Sequence, residues 1–559
     1  MITSPKDFES AKDIVAALEN TPGLERFEKL KVLLRQFPKN NGQTFSKSEL
    51  LSLCTKDSSI RKLLLKKPVR TLSGVTPVTV LTKPFPCPGQ CIFCPSDVRM
   101  PKSYIANEPG AQRAGQYEFH PYVQVWNRLQ AYTEIGHPTS KVELIVLGGT
   151  WSFYPLDYQR WFISELFRAM NDFGDGIDNR PTTHQISLDE KLPPGLTYNQ
   201  YISGKKSAEV VETATIEQIR EHQTKNEQAV CRCVGLVLET RPDYVNPEEL
   251  KRFRQYGVTK VQIGVQSLSN TVLQLNKRGH TAEQTITAID LIRQAGFKIH
   301  IHWMPNLYGS DTKDDKQDYL QLFNSTSVCP DEIKVYPCSL IDNTELMNIF
   351  HQGLWRPYTT DELIDVLQFV MKNTPEYTRL TRIIRDIPGS EIVNGNKSTN
   401  LRQLIETKEL LKELKDIRAR EIKNQQIQRS DLHIDDQVYE TNVSTEHFLQ
   451  FIDPKRRIAG FLRLSLPKGA SIFKELDKAA MIREIHVYGQ SVSVGNDNET
   501  AAQHQGLGKD LIQHAVLIAT EAKFEQLAVI SAVGTREYYR NAGFVDGELY
   551  QVLKLQPAL

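Results

Sequence analysis

The stretch Pro84–Asp97, PFPCPGQCIFCPSD, places Cys87, Cys91 and Cys94 within eight residues of a 559-residue chain that has eight cysteines in all. A structural zinc site takes four ligands, as a rule two from each of two separated knuckles. No fourth Cys or His stands near this loop in the sequence. Three thiolates on a tight loop can instead hold a four-iron cluster and leave one iron without a protein ligand, open to chelate a cofactor. A zinc site completed by a distant ligand is the alternative reading.

The loop follows a β-branched run, VTPVTVLTK at 75–83. Five more such runs come after it: VELIVLGG (142–149), CVGLVLET (233–240), KVQIGVQS (260–267), FKIHIHWMP (297–305) and EIKVYPC (332–338). Helical patterns separate them, such as TAEQTITAIDLIRQAG, which ends in Gly296 as a helix should. Strand alternating with helix predicts parallel strands buried on both faces, and six repeats suit a partial barrel better than a doubly wound sheet. Residues 1–72 read as helices, and 171–230 as a polar insertion punctuated by Gly and Pro. The stretch 346–430 reads as a charged helical connector. A second α/β unit fills 431–559, with strands RIAGFLRLSL, MIREIHVYG and LAVISAV and the amphipathic helix GKDLIQHAVLIATEAK. The expected divisions are therefore 1–72, 73–345, 346–430 and 431–559.

Composition is that of a globular protein, 40% hydrophobic and 24% charged, with a formal net charge of +1. The start, MITSPKDFES, lacks the apolar core of a signal peptide, and no apolar run approaches the roughly 20 residues of a membrane span. The expectation is a cytoplasmic protein with reduced thiols and no membrane partner. Charge is uneven, however. From Lys29 to Lys83, twelve lysines and arginines face only Glu49 and Asp57, a stripe that could track a phosphate backbone or simply solvate a helical face. Cys54, Cys231, Cys233, Cys329 and Cys338 read as ordinary packing cysteines.

The Cys-x3-Cys-x2-Cys spacing after a first strand resembles the radical S-adenosylmethionine (SAM) enzymes. That resemblance implies a [4Fe-4S] cluster on Cys87, Cys91 and Cys94, with SAM bound at the open iron and cleaved to a 5′-deoxyadenosyl radical. Gly148 and Gly149, closing the second strand, fit a contact to the SAM amino group, since ligands gather at the C-terminal ends of barrel strands. Downstream, Gln503-x-x-Gly506-x-Gly508 opens a helix and resembles the pyrophosphate loop of GNAT-type acetyltransferases, where helical N–H groups meet phosphate. REYYRNAGF would carry a tyrosine near the thioester sulfur: Tyr539 first, Tyr538 second. Two aromatic residues packing a helix are the bland alternative.

These two units in one chain, with the strings LETRPDY, IGVQS, RGHT, IIRDIPG, IREIHVYG and QHQGLGK in order, resemble the catalytic subunit of Elongator and its stand-alone prokaryotic relatives. The implied fold is α/β, a partial (β/α)6 radical SAM barrel followed by a GNAT-type domain. The implied function is a tRNA modification enzyme that adds a carboxymethyl-type group, derived from acetyl-CoA, to carbon 5 of the wobble uridine. The partner is then the anticodon stem-loop of tRNA, with the basic N-terminal segment helping to hold it. By the same resemblance, acetyl-CoA contacts fall on Lys141, on Glu484, Ile485, His486 and Val487, on Gly506, Leu507, Gly508 and Lys509, and on Tyr539. Lys334 and Tyr336 match a pair placed near the reacting groups, and could equally contact tRNA or pack. Glu239 and Arg241 could bind polar groups of SAM or form a structural salt bridge.

Two departures count. The x3 spacing fits the prokaryotic type, which would act without Elongator-like partner proteins, and LKDIRAREIK lacks the cysteines that accompany zinc in many relatives, so no zinc site is expected there. Whether the chain pairs with a second copy stays open. Two rival readings remain: a scaffold that hydrolyses acetyl-CoA in response to tRNA without radical chemistry, and a protein lysine acetyltransferase with a structural cluster.

Overall fold

The computed structural model describes the chain apart from residues 1–3, 24, 56–57, 67–70, 72, 206–211, 325–326, 399–400, 407, 423–426, 489–505 and 557–559. Helix α1, Pro5–Glu19, begins at a capping Ser4, whose Oγ accepts from Asp7 N–H. It packs with α2, Arg26–Gln36, over a small core of its own that includes Ile14, Leu18, Leu30, Leu33 and Leu50. Lys29, Lys31 and Arg35 are exposed along α2.

The barrel strands are β1 (Thr76–Leu81), β2 (Lys141–Leu147), β3 (Arg232–Thr240), β4 (Lys260–Gln266), β5 (Lys298–Trp303), β6 (Glu332–Val335) and β7 (Arg379–Arg382). They form one parallel sheet in sequence order, β1 to β7, without closing on itself. Crossover helices cover the outside: α3 (Pro121–Glu134), α4 (Leu156–Gly174), α5 (Pro247–Gln255), α6 (Ala282–Gln294), α7 (Thr312–Gln321) and α8 (Thr360–Asn373). α6 shows how locally the chain is punctuated. Thr281 and Gln284 make a reciprocal capping box at its start, and Gly296 takes φ +77° just past its end.

All six expected strands are present, and a seventh joins them. RLTR at 379–382 lies inside the segment read as a helical connector, and pairs Ile333 with Leu380. A four-residue strand with arginine at both ends carries too little apolar alternation to stand out from charged helix. Of the segment 171–230, residues 171–174 finish α4, and the described residues beyond them include the helices Tyr198–Gly204 and Ile216–Glu227.

The C-terminal unit is a second seven-stranded sheet. Its strands are β8 (His433–Glu440), β9 (Ser444–Ile452), β10 (Ile458–Pro467), β11 (Ala479–Val487), β12 (Gln526–Val529), β13 (Val545–Asp546) and β14 (Gln551–Lys554). Pairing is antiparallel except between β11 and β12, which α9, Leu507–Glu521, connects as a crossover. That parallel register runs only from Ala479↔Gln526 to Ile482↔Val529, while β11 continues to Val487 along β10. The sheet therefore opens as a wedge toward Glu484, Ile485 and His486.

The two sheets share a core. Met481, Ala528, Ile530, Val533 and Tyr550 of the second unit pack into the same buried cluster as Phe253, Phe297 and Val258 of the barrel. At the centre of the contact Arg483, fully buried, donates to Asp331 at 2.7 and 2.9 Å and to Glu446 at 2.7 and 3.0 Å. Among the described residues no helix is long and apolar enough to cross a membrane.

Candidate active site

The C-terminal ends of the barrel strands open into a cavity of about 1700 Å³, lined by Cys87, Cys91, Cys94, Gly148, Gly149, Glu239, Lys334 and Tyr336 among others. Fold closure thus brings together residues nearly 250 positions apart in sequence. The cysteine loop is held from three directions. Asn199, from the insertion, accepts from Cys87 N–H at 3.0 Å and donates to Cys87 O at 2.7 Å. Arg278 donates through Nη1 to Cys91 Sγ at 3.0 Å and through Nη2 to Gly264 O at 2.8 Å. Arg241 pairs with Asp243 at 2.9 Å, donates to Arg278 O at 2.5 Å, and lies where any side chain at Gly89 would collide with its guanidinium. Arg241 is therefore a strut beneath the loop.

The thiols are electronically unequal. A hydrogen bond shared with Cys94, with help from Arg278 and Arg241, outweighs burial and holds Cys91 well below the usual thiol range. The same hydrogen bond, together with burial, pushes Cys94 up. Cys87 stands apart, 3.8 Å from Thr150 Oγ1. No three His, Cys, Asp or Glu side chains among the described residues converge as they would on a single ion. Three thiols on one loop, one already favoured as thiolate, at the edge of a large cavity fit a ligand larger than one ion, as a four-iron cluster is. Gly148 completes the cradle: at φ +144°, with Thr82 where a Cβ would sit, only glycine fits.

Above the barrel axis, Lys334 Nζ donates to Gln262 Oε1 at 2.6 Å, and His302 Nε2 lies 3.2 Å from the same oxygen. His302 Nδ1 is 3.5 Å from Glu239 Oε1. Burial lowers Lys334 to about 8 against the opposing pull of Glu239, and burial raises Glu239 and takes Tyr336 up to about 12. Tyr104 and Arg385 line the same wall, with the guanidinium 4.9 Å from the Tyr104 ring centre.

A second cavity of about 340 Å³ lies at the other end of the barrel, under the wedge between β11 and β12, and Glu484, Ile485, His486 and Tyr539 line it. Glu484 is engaged by Lys298 at 2.5 Å and Arg463 at 2.9 Å, so its carboxylate already joins the two domains. Burial takes His486 down to about 4. Tyr539 is buried against Phe544, whereas Tyr538 is partly exposed and its hydroxyl occupies the space a side chain at Gly508 would need. Gly506 caps α9 in the left-handed region, and Leu507, Gly508 and Lys509 form its first turn. Gln503 lies outside the described residues. Val487 ends β11 opposite Gly460. Lys141 starts β2 beside Arg232, whose neighbourhood Gly534 of the second unit abuts; burial and the Arg232 charge lower the Lys141 ammonium.

Asn199, Gln262, His302 and Tyr104 are absent from the sequence-based assignments, and Arg278 enters them only as part of RGHT. Two histidines at alternate positions of a buried strand, His300 and His302, were the available signal: they face the barrel lumen, where an apolar residue would otherwise pack. Cys231 and Cys233 are buried, with burial taking both thiols up to about 12, as packing cysteines require.

A half-barrel of parallel strands with a three-cysteine loop at the mouth of its first strand defines a radical SAM protein. The Radical SAM superfamily model matches residues 209–319, and the Radical_SAM C-terminal domain model matches 330–413, a span that takes in β7. The chain is 36% identical to a tRNA uridine(34) acetyltransferase of Methanocaldococcus jannaschii, over 89% of this chain and 88% of that one. It is 34% identical to the protein of that name from Dehalococcoides mccartyi (86% and 97%), and 32% identical to Elongator complex protein 3 of Dictyostelium discoideum (88% and 84%). The solved structure of archaeal Methanocaldococcus infernus Elp3, with its N-terminus deleted, superposes with a TM-score of 0.68 at 32% identity, covering 86% of this chain and 99% of that one. The chain belongs to the family of the tRNA uridine(34) acetyltransferases and Elongator complex protein 3.

Proposed function

We propose that this protein modifies uridine 34 of tRNA, the wobble position, building a carboxymethyl-type group on carbon 5 from the acetyl group of acetyl-CoA. The observation that carries this reading is the sharing of walls. Glu143, Lys260, Glu332, Arg379 and Tyr488 border both cavities, so the cysteine-lined chamber and the pocket that this reading gives to the acyl thioester share a wall.

In this reading Cys87, Cys91 and Cys94 hold a [4Fe-4S] cluster, and the Gly148-Gly149 backbone and Glu239 bind SAM. Cluster and SAM together supply a 5′-deoxyadenosyl radical, the kind of chemistry an unactivated ring carbon demands. Lys334 and Tyr336 face the reacting groups: near pH 8 the lysine can take or give a proton, while the phenol stays protonated as a donor. On the thioester side, the first turn of α9 receives the pyrophosphate, Glu484 to Val487 run beside the pantetheine arm, and Tyr539, in the pocket wall, faces the sulfur; Lys141 joins this set by the family resemblance alone. Thirteen lysines and arginines against seven aspartates and glutamates line the large cavity, which suits an anticodon stem-loop whose uridine leaves its stack to enter. The exposed Lys29, Lys31 and Arg35 of α2 offer further basic groups for the tRNA backbone.

Mass spectrometry of tRNA nucleosides tests the proposal. Cells lacking this protein lose a modified uridine at position 34 and regain it on complementation. An unchanged wobble profile overturns it.

A further inference from the structure

The floor of the barrel is unusual in composition. In closed (β/α)8 barrels the interior is filled by layers of branched apolar side chains. Here the first turns of β2, β4, β5 and β6 point charges into the lumen. Lys260 Nζ pairs with Glu143 at 2.7 Å and Glu332 at 3.0 Å, and Lys298 ties Glu332 (2.8 Å) to Glu484 (2.5 Å) of the second unit. An ion cluster this buried adds little over a packed apolar floor and often less, because desolvation offsets the Coulombic gain. Stability is therefore a poor explanation for it.

Position is a better one. Glu143, Lys260 and Glu332, with Arg379 and Tyr488 beside them, line both the large cavity and the pocket beneath the β11–β12 wedge, so this layer of side chains is part of the wall between them. Of the three, Glu143 is the least buried, its side chain 27% exposed against 10% for Lys260 and 6% for Glu332. It holds Lys260 from one side only, and its neighbour across the sheet is Gly235, where an added Cβ would lie 3.2 Å from Glu143 Cγ. Glycine there leaves the carboxylate room to swing. Lys260 keeps Glu332 whether or not Glu143 stays.

We propose that Glu143, Lys260 and Glu332 form a hinged partition that keeps water and the contents of the large cavity away from the thioester, and that it opens by displacement of Glu143 when the acyl end must reach the large cavity. The inference rests on the acyl-thioester reading of the second cavity. Opened prematurely, the partition would let water add to the thioester carbonyl, expelling the coenzyme A thiol and leaving acetate.

The full-length protein, reconstituted anaerobically, is assayed for free coenzyme A thiol released from acetyl-CoA with and without tRNA, and coenzyme A binding is measured by calorimetry. Glu143→Gln, which keeps shape and removes one arm of the ion cluster, is expected to raise hydrolysis without tRNA about tenfold, the factor equivalent to about 1.4 kcal/mol. Coenzyme A affinity should not change. Gly235→Ala, whose added Cβ takes up the room into which the carboxylate would swing, is expected to act oppositely and lower that hydrolysis. Unchanged tRNA-free hydrolysis in Glu143→Gln, or an equal loss of coenzyme A affinity, overturns the partition. Absence of acetyl-CoA turnover and coenzyme A binding in the parent protein itself would instead overturn the acyl-thioester reading.

Discussion

The two ends of the barrel put polar groups to opposite uses. At the mouth, Cys87, Glu239 and Tyr336 face a large cavity, and the charged groups around them brace the loop from behind. At the floor, Asp331, Glu332, Glu446 and Glu484 are consumed by Arg463, Arg483, Lys260 and Lys298 in one continuous ion network that spans both domains. Barrel enzymes generally place chemistry at the C-terminal face and stability at the N-terminal one. In this molecule the N-terminal face also borders a second cavity, so its charges both fasten the domains and lie between two chambers. The comparison teaches that burial alone does not tell a group that faces a cavity from one locked in an ion network.

The sharpest test of that contrast is at the mouth. Cys91→Ala is expected to abolish iron incorporation, read as iron and acid-labile sulfide per chain, while thermal stability of the iron-free protein and coenzyme A binding stay near the parent values. At the floor, Arg483→Met removes the cation shared by Asp331 and Glu446, leaving Asp331 to Arg463 at 3.3 Å and Glu446 to Arg293 at 3.7 Å, and is expected to cost about 3–5 kcal/mol of unfolding free energy, measured by denaturant titration. A smaller loss, of about 1–3 kcal/mol and localised to the cysteine loop, is expected for Asn199→Ala, which leaves the Cys87 amide without its acceptor. Hydrogen exchange of residues 84–97 reads it; uniform loosening of both domains would blur the distinction between the ends.

The gentlest effect is one of pH. Lys334 has its folded value lowered to about 8 from an ordinary 10.5, so the folded state carries a penalty that is full below pH 8 and fades as pH rises toward 10.5. Lys334→Met should therefore be favoured most at neutral pH relative to the parent, with the difference in unfolding free energy shrinking across that window. A difference that is flat with pH would show that the ammonium is well solvated in the cavity.

What could be read from the sequence followed from contiguity. A cysteine triplet after a strand, six β-branched runs and a Gly-x-Gly turn opening a helix are local signals, and each appears where local physics puts it. The braces do not announce themselves in this way. Asn199 reaches Cys87 across 112 positions, and Arg278 reaches Cys91 across 187, through contacts that only closure of the sheet creates. β7 escaped because RLTR has a single buried leucine between charged ends. Glu484 shows the converse: the strand that carries it was legible, but its engagement was not, because Lys298 comes from the other domain and Arg463 meets it only through the β10–β11 register.

The central claim, that three thiolates leave one iron free for SAM, is tested most directly by electron paramagnetic resonance of the reduced, anaerobically reconstituted protein with and without SAM. A [4Fe-4S] signal that changes shape when SAM is added is expected. A protein without any cluster signal, or one whose signal ignores SAM, would contradict it.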